Sequence, residues 1–459
     1  MAVVIKYQMN DPTTPDLVAE MVLPPMIPGY FFRVIPMPTV TPESGTREEQ
    51  GGRAYIAVAN VTALATQAIG RFKPTAPLKW AATNSLLVNI RAGKDLNAYY
   101  DRLGCKFFLV FDSVTNKFLC TCDSMDVVTH EVGHAILDSI RPDFWSVQAL
   151  EVWAAHEAFA DATAIVSAIH YDKLVEKALA ETGGDLRKSN VISRLAEEIG
   201  QVVYRISPDK THLPNCLRDA VNTFKYIDPL KLPKEGPDNQ ISAECHSFGR
   251  ILLGAWYDIL IGIFEKKKAD GMAAVQALQA ARNTAYDYLI DAYTTVPLCA
   301  KMTEAIGKLI VESARTHDDG KYLELVKDAL YNRDILKKEI KMLSTTNIKD
   351  VEGSVKKKGD YNVVTVQFLK NVKLANKYVY SMYVKGTDLN NVNVHVAGES
   401  LYIFNKDGVL VEEVSSSEDE VYEAAMQCVG FIKDDNDVGP HPDTKWEIKD
   451  GDLYRTLIS

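Results

Sequence analysis

The 459-residue sequence has no strongly basic run, no apolar stretch of membrane length and few cysteines. Each absence removes a class of explanation. Lysine and arginine number 51 against 61 aspartates and glutamates, a formal net charge of −10. Without a basic patch or stripe there is no field to hold a phosphate backbone, so no nucleic-acid partner is expected. The longest apolar stretch, ILLGAWYDILIGIF (residues 251–264), is short for a span and carries Asp258, so no membrane span is expected either. The N-terminal MAVVIKYQMNDPTTPD lacks a basic region followed by a long apolar one; no signal peptide is read, and a cytoplasmic location is expected, although a chain trimmed of an export signal would read the same. The seven cysteines (Cys105, Cys120, Cys122, Cys216, Cys245, Cys299 and Cys428) are odd in number and mostly set in apolar context. They fit reduced thiols better than a disulfide framework.

What is present reads as a globular chain, 47% hydrophobic and 24% charged, and too long for one compact core. Residues 1–74 form a proline-rich N-terminal segment; up to about residue 60, with Pro24, Pro25, Pro28, Pro36, Pro38 and Pro42, it reads as extended chain packing on the domain that follows. Within it, VTALATQAIGRF (61–72) has helical periodicity. KFFLVFDS (106–113) and KFLCTC (117–122) are short apolar runs bounded by turn residues, hence strands. From about residue 126 to 341 the spacing is overwhelmingly helical, with SRLAEEIGQVVYRI, SFGRILLGAWYDILIGIF, MAAVQALQAARNTAYDYLIDAY and EAIGKLIVESA as the clearest runs. From residue 344 the pattern turns β-rich: YNVVTVQFL, KYVYSMYV, NVNVHVA and SLYIFNKDGVLVEEV, with Asp407-Gly408 a hairpin signal. A helix is expected from the capping box Ser417 to Glu420 onward. The fold class is therefore α+β with a separate C-terminal β-rich module, 344–459, of unassigned role.

The chemistry concentrates in VVTHEVGHAILD (127–138). On a helix His130 and His134 share one face and can aim two imidazoles at one ion. Glu131, about 100° around the helix, can reach a water on that ion. Downstream, AAHEAFADATAI places Glu157 on a second helical stretch, with Asp161 one turn later. Glu157 completes a His₂Glu zinc set with an open fourth position, and Asp161 can fix the tautomer of a ligand histidine. Cys120 and Cys122 share a strand face, but two thiolates are an incomplete metal site, and buried core thiols are the simpler reading.

The pair of motifs, H-E-x-x-H followed by E-x-x-x-D, resembles the gluzincin zinc metallopeptidases of the thermolysin-like branch. LNAYYDRLGCKFFLVFD resembles that family's strand region before its zinc helix. LRDAVNTFKYIDP (217–229) resembles the segment carrying a substrate-binding arginine, here Arg218. CHSFGRILLGAWY (245–257) resembles the segment whose histidine stabilises the tetrahedral intermediate, here His246, for which Glu244 and Asp238 are candidate orienting carboxylates. The resemblance, over about residues 75–320, implies a β-rich N-lobe with the zinc helices (75–175) and a helical C-lobe (176–343) flanking a cleft. It also implies one zinc per chain, Glu131 as general base, and a peptide or protein substrate. The chain departs from the family pattern at His156, where asparagine is usual, and FWSVQALEVW offers no oxyanion tyrosine. TAIVSAIHYDKLVEK is nearly free of acids where relatives bind calcium, and Asp126 reads as a helix N-cap. Calcium is not expected at that site. The leading reading is an endopeptidase. The alternatives are a peptidase of the same superfamily acting on short peptides or chain ends, and a non-catalytic binding protein on a metallopeptidase scaffold.

Overall fold

The computed structural model describes residues 2–24, 31–72, 78–82, 84–146, 149–207, 211–297, 301–337, 347–358, 361–373, 393–414, 446–449 and 452–456. The fold is α+β. The chain divides into two compact units, residues 1–140, 156–224 and 233–290 in one and 141–155, 225–232 and 291–459 in the other.

The first unit opens with an antiparallel pair, β1 (Val4–Gln8) and β2 (Val18–Val22), then β3 (Phe32–Ile35) and the helix α1 (Arg47–Phe72). The extended reading of the N-terminal segment fails from Arg47 onward, because this helix begins well before the periodic run at Val61. The reason is visible at its start. Thr46 caps the first turn by accepting the Glu49 N–H at 3.2 Å, and Glu49 reaches back to the Gly45 N–H at 2.6 Å, a reciprocal cap written in the sequence as T-R-E-E. Gly51 and Gly52 then read as helix breakers, but they are contact points. A Cβ on Gly51 would lie 2.0 Å from the Pro36 carbonyl oxygen, and one on Gly52 2.4 Å from the Ile5 side chain. Close packing on the preceding strands repays their low helix propensity.

Strands β4 (Leu86–Lys94), β5 (Ala98–Tyr100), β6 (Cys105–Asp112) and β7 (Lys117–Cys120) complete a sheet in the order β3-β4-β6-β5, with β7 also pairing β6. A short 3₁₀ turn leads from β7 into α2 (Met125–Ile140), followed by α3 (Leu150–Ala168) and α4 (Asp172–Thr182). The helical run expected from Ser193 does not start there. Arg194–Leu195 (β8) pairs antiparallel with Arg218–Asp219 (β9), and Ala196 turns the chain at φ 53° before α5 (Glu197–Ile206) begins. Between α5 and α6 (Cys245–Ala269) the described residues hold β9 and one 3₁₀ turn, Pro229–Lys231, but no α-helix, where a mostly helical pattern was expected. Pro214, Pro229, Pro233 and Pro237 prevent one. α6 has the length and apolarity of a membrane span, but its apolar window is 89% buried within the protein, as in a core helix. α7 (Ala274–Thr295) follows.

In the second unit α8 (Met302–Thr316) and α9 (Leu323–Asn332) accompany a mixed sheet. Its strands are β10 (Ser354–Lys358), β11 (Tyr361–Lys373), β12 (Asn393–Phe404), β13 (Leu410–Val414), β14 (Trp446–Lys449) and β15 (Asp452–Thr456). The order is β10-β11-β12-β15-β14, with β13 on β12. β12 runs unbroken through Gly398, where the sequence suggests two separate runs, because β11 pairs with it residue by residue, Phe368 opposite Gly398. The turn at Asp407-Gly408 joins β12 to β13, with Gly408 at φ 76°. The strand expected over KYVYSMYV and the helix expected after Ser417 lie outside the described residues, as do Cys299 and Cys428.

Asp126 is not the N-cap of α2 but its second residue. It lies buried and accepts the N–H of Val127 at 2.8 Å and of Ala196 at 2.6 Å. Asp11 beside it accepts the N–H of Glu198 at 3.1 Å and of Thr13 at 2.9 Å, and the Ser124 hydroxyl. Burial, reinforced by Asp11, pushes Asp126 up to about 8. These carboxylates face N–H donors, which a calcium ion taking six to eight oxygens would have to displace. Melting temperatures are therefore expected to agree in calcium-free and millimolar-calcium buffer. A large upward shift on adding calcium would reveal a site that this bonding pattern argues against.

Candidate metal centre

α2 and α3 are core helices. Every residue of α2 except Ser139 is buried, and α3 is buried continuously from Ala154 to its end. Ionisable groups on such helices have lost their water and need partners inside the protein. The helices meet where Gly133 faces α3. A Cβ at that glycine would stand 2.8 Å from Ala160 Cα and 3.2 Å from Thr163 Cβ. Backbone therefore approaches backbone one residue from His134 and one turn from Glu157.

This crossing brings His130, His134 and Glu157 together. The two Nε2 atoms are 3.1 Å apart. Glu157 presents Oε2 to His130 Nε2 and Oε1 to His134 Nε2, each at 3.5 Å. A tetrahedral ion with bonds of about 2.0–2.1 Å needs ligand atoms about 3.3–3.4 Å apart; the two nitrogens stand close to that spacing, and each faces a different oxygen of the same carboxylate. Glu157 Oε2 is also buried with no hydrogen-bond partner, a deficiency that a cation would remove. The donor set, two imidazoles and a carboxylate, suits zinc.

Around this triangle the remaining expected residues take up distinct positions. Asp161 Oδ1 lies 2.7 Å from His130 Nδ1, the far nitrogen of that ring. Arg218, carried by the β8–β9 ribbon, donates from Nε and Nη2 to both Asp161 oxygens at 2.7 Å, while the residue also lines the cleft. His156 is fully buried, its Nδ1 3.4 Å from His134 Nδ1. It thus stands beside the far side of the second ring as Asp161 does beside the first. Glu131 lines the cleft.

His246 begins α6. Glu244 caps that helix by accepting the N–H groups of His246 and Ser247, and its Oε1 lies 2.5 Å from His246 Nδ1. Of the two candidate orienting carboxylates it is Glu244 that meets His246; Asp238 accepts the Leu213 N–H and faces His212. His246 Nε2 is left 3.5 Å from Glu157 Oε2 on a half-exposed ring. Arg250, one turn further, holds the preceding loop by donating to the carbonyls of Asp238 and Gln240. No tyrosine lines the cleft among the described residues. Cys245 also reaches this region, a placement that nothing in the local sequence signals. Cys120 and Cys122 are buried elsewhere, with sulfurs 3.0 Å apart and Cys120 Sγ donating to the Ile90 carbonyl.

The electrostatics leave His134 neutral and Glu157 ionised, the forms a metal takes, but hold a proton on His130 that an ion would have to displace. Burial pushes His134 down to about 3, so it stays a neutral imidazole. Burial works against Glu157 and Asp161 ionising, but His246, His134 and His130 hold the first well below the carboxylate range, and Arg218 and His130 hold the second at about 2. Burial would lower His130, yet Asp161 and Glu157 raise it to about 9. Neutral imidazole and ionised carboxylate are the forms a metal requires. Burial lifts Glu131 to about 7. No protein-family model matches the chain, and no curated protein matches it.

Gly133→Val is expected to force α2 and α3 apart, costing about 1–3 kcal/mol of stability through overpacking. It should also weaken zinc binding by on the order of the 10–100-fold seen when a ligand's supporting contact is lost. Denaturant melts paired with competitive zinc titration check both. Unchanged zinc affinity in a destabilised variant would show that the crossing does not set the ligand triangle.

Proposed function

We propose that the chain is a zinc-dependent peptidase that cleaves internal peptide bonds, built on a two-lobe plan of thermolysin-like type. The observation that carries this reading is the His130–His134–Glu157 cluster, close enough to hold one ion, with the buried carboxylate of Glu131 on the adjoining cleft wall. Zinc held there would supply a Lewis acid and a water activated at neutral pH.

The chain's own residues supply the rest. Glu131, poised near neutrality, takes a proton from the attacking water and passes it to the leaving amine. His246, with Nδ1 directed at Glu244, offers Nε2 to the developing oxyanion. Arg218, with Nε and Nη2 committed to Asp161, keeps Nη1 for a substrate carbonyl. The cleft, about 130 Å³, is walled by Val127, Leu195, Ile199 and Leu217. That is small beside the roughly 300–1,000 Å³ of a small-molecule site and suits one apolar side chain of an extended peptide. β5 ends its sheet, and Leu96, Asn97 and Ala98 line the cleft, so an added peptide strand can pair there.

The purified protein is expected to carry one zinc per chain, lost when His130 and His134 are both replaced by alanine. Glu131→Gln should keep the zinc and lose most turnover. With the Glu131 carboxyl at about 7, its base form is depleted as pH falls through that value. The wild-type rate should therefore show an acid limb near neutrality that the residual Glu131→Gln rate lacks. Chelator-insensitive casein digestion, or wild-type turnover in Glu131→Gln, would return the chain to the binding-protein reading.

His246→Ala should lower kcat by roughly 10²-fold with a smaller change in KM, the pattern for a donor acting on the oxyanion. A raised KM at constant kcat would instead assign His246 to ground-state binding.

A further inference from the structure

We propose that Cys245, His246 and Glu157 form a second cation position, distinct from the histidine-pair site and selective for thiophilic divalent ions. A ligand atom from each of the three residues lies within 4.8 Å of the other two. His246 Nε2 is 3.5 Å from Glu157 Oε2 and is the ring nitrogen left for an ion, since Glu244 holds Nδ1, while the Cys245 thiol lies against the Nδ1 side of the same ring. Glu157 Oε2, an acceptor on a residue only 6% exposed with no hydrogen-bond donor, is common to both positions. It stands equally far from His130 Nε2 and His246 Nε2, so it can serve either cation or bridge two. The donor types differ between the positions. The first offers nitrogen and oxygen; the second adds a sulfur, which favours zinc, cadmium or cobalt over calcium or magnesium.

Occupation requires the thiolate. The Cys245 S–H bond breaks, its proton passes to solvent, and the electron pair it leaves on sulfur forms the bond to the ion, so one proton is released and nothing is oxidised or reduced. His246 is the shared element with the proposed oxyanion role, and an ion here withdraws its imidazole from the cleft. The proposal rests on the zinc reading of the histidine pair for its first equivalent of metal, and the test separates the two.

Metal-free full-length protein is titrated with Co²⁺, following ligand-field bands for total occupation and sulfur-to-cobalt charge-transfer absorption for thiolate ligation. Two equivalents are expected, with charge transfer arising only with the second. Cys245→Ser should lose that band and the second equivalent while keeping the first. In unaltered protein, Zn²⁺ beyond one equivalent should protect Cys245 from alkylation, mapped by mass spectrometry, so the outcome does not depend on the variant folding. One equivalent without charge transfer would overturn the second site and leave the first intact. Charge transfer that survives in Cys245→Ser would assign the sulfur to another cysteine and also overturn it. Charge transfer with the first equivalent would overturn the ligand set assigned to the proposed peptidase. Failure to bind any cobalt would sink both.

Discussion

The centre depends on one steric fact, the absence of a side chain at Gly133. Two core helices can approach backbone to backbone only where neither carries bulk at the crossing, and here glycine on α2 meets Ala160 on α3. The ligands sit within a turn of that point on their own helices. Their spacing is therefore set by rigid elements and not by loops, which suits a site whose ligand atoms must be placed to a few tenths of an ångström.

Burial then makes the charges interdependent. Glu157 and Asp161 occupy an enclosed helix, and an isolated carboxylate there would be costly. Each answers to cationic or polar neighbours: Asp161 to Arg218 and His130, Glu157 to the three histidines around it. Arg218 reaches Asp161 because the short β8–β9 ribbon delivers it. Removing one member would strand its partner's charge, a loss of about 3–5 kcal/mol in such buried pairs. The arrangement is thus a support for the ligand geometry as much as a source of stability.

The start of α6 shows the same economy. Glu244 satisfies two N–H groups that a helix start leaves unpaired, and with the same carboxylate it holds the His246 ring. The helix cap and the orientation of the proposed oxyanion donor are one interaction. The cap also fixes Cys245 between the two, which is how a residue with no motif of its own comes to lie beside the proposed metal ligands.

The sequence by itself determined the elements whose information is local. His130 and His134 must share a helix face once the helix forms, the strands around Phe107 and Phe118 follow from apolar runs between turns, and Asp407-Gly408 makes a hairpin turn wherever it falls between two strands. Local periodicity could not reveal that α1 starts at Arg47, since Gly51 and Gly52 look like breakers until Pro36 and Ile5 are seen against them. Nor could it show that Arg194 and Leu195 leave the helical pattern, since their partners lie in a segment more than twenty residues on. The sequence does place Glu157 and Asp161 one turn apart, but only the tertiary structure decides which atoms meet them. That decision belongs to the close crossing at Gly133, the β8–β9 ribbon and the cap of α6. Each is a contact between segments distant along the chain, and such contacts leave no periodicity in the sequence to be read.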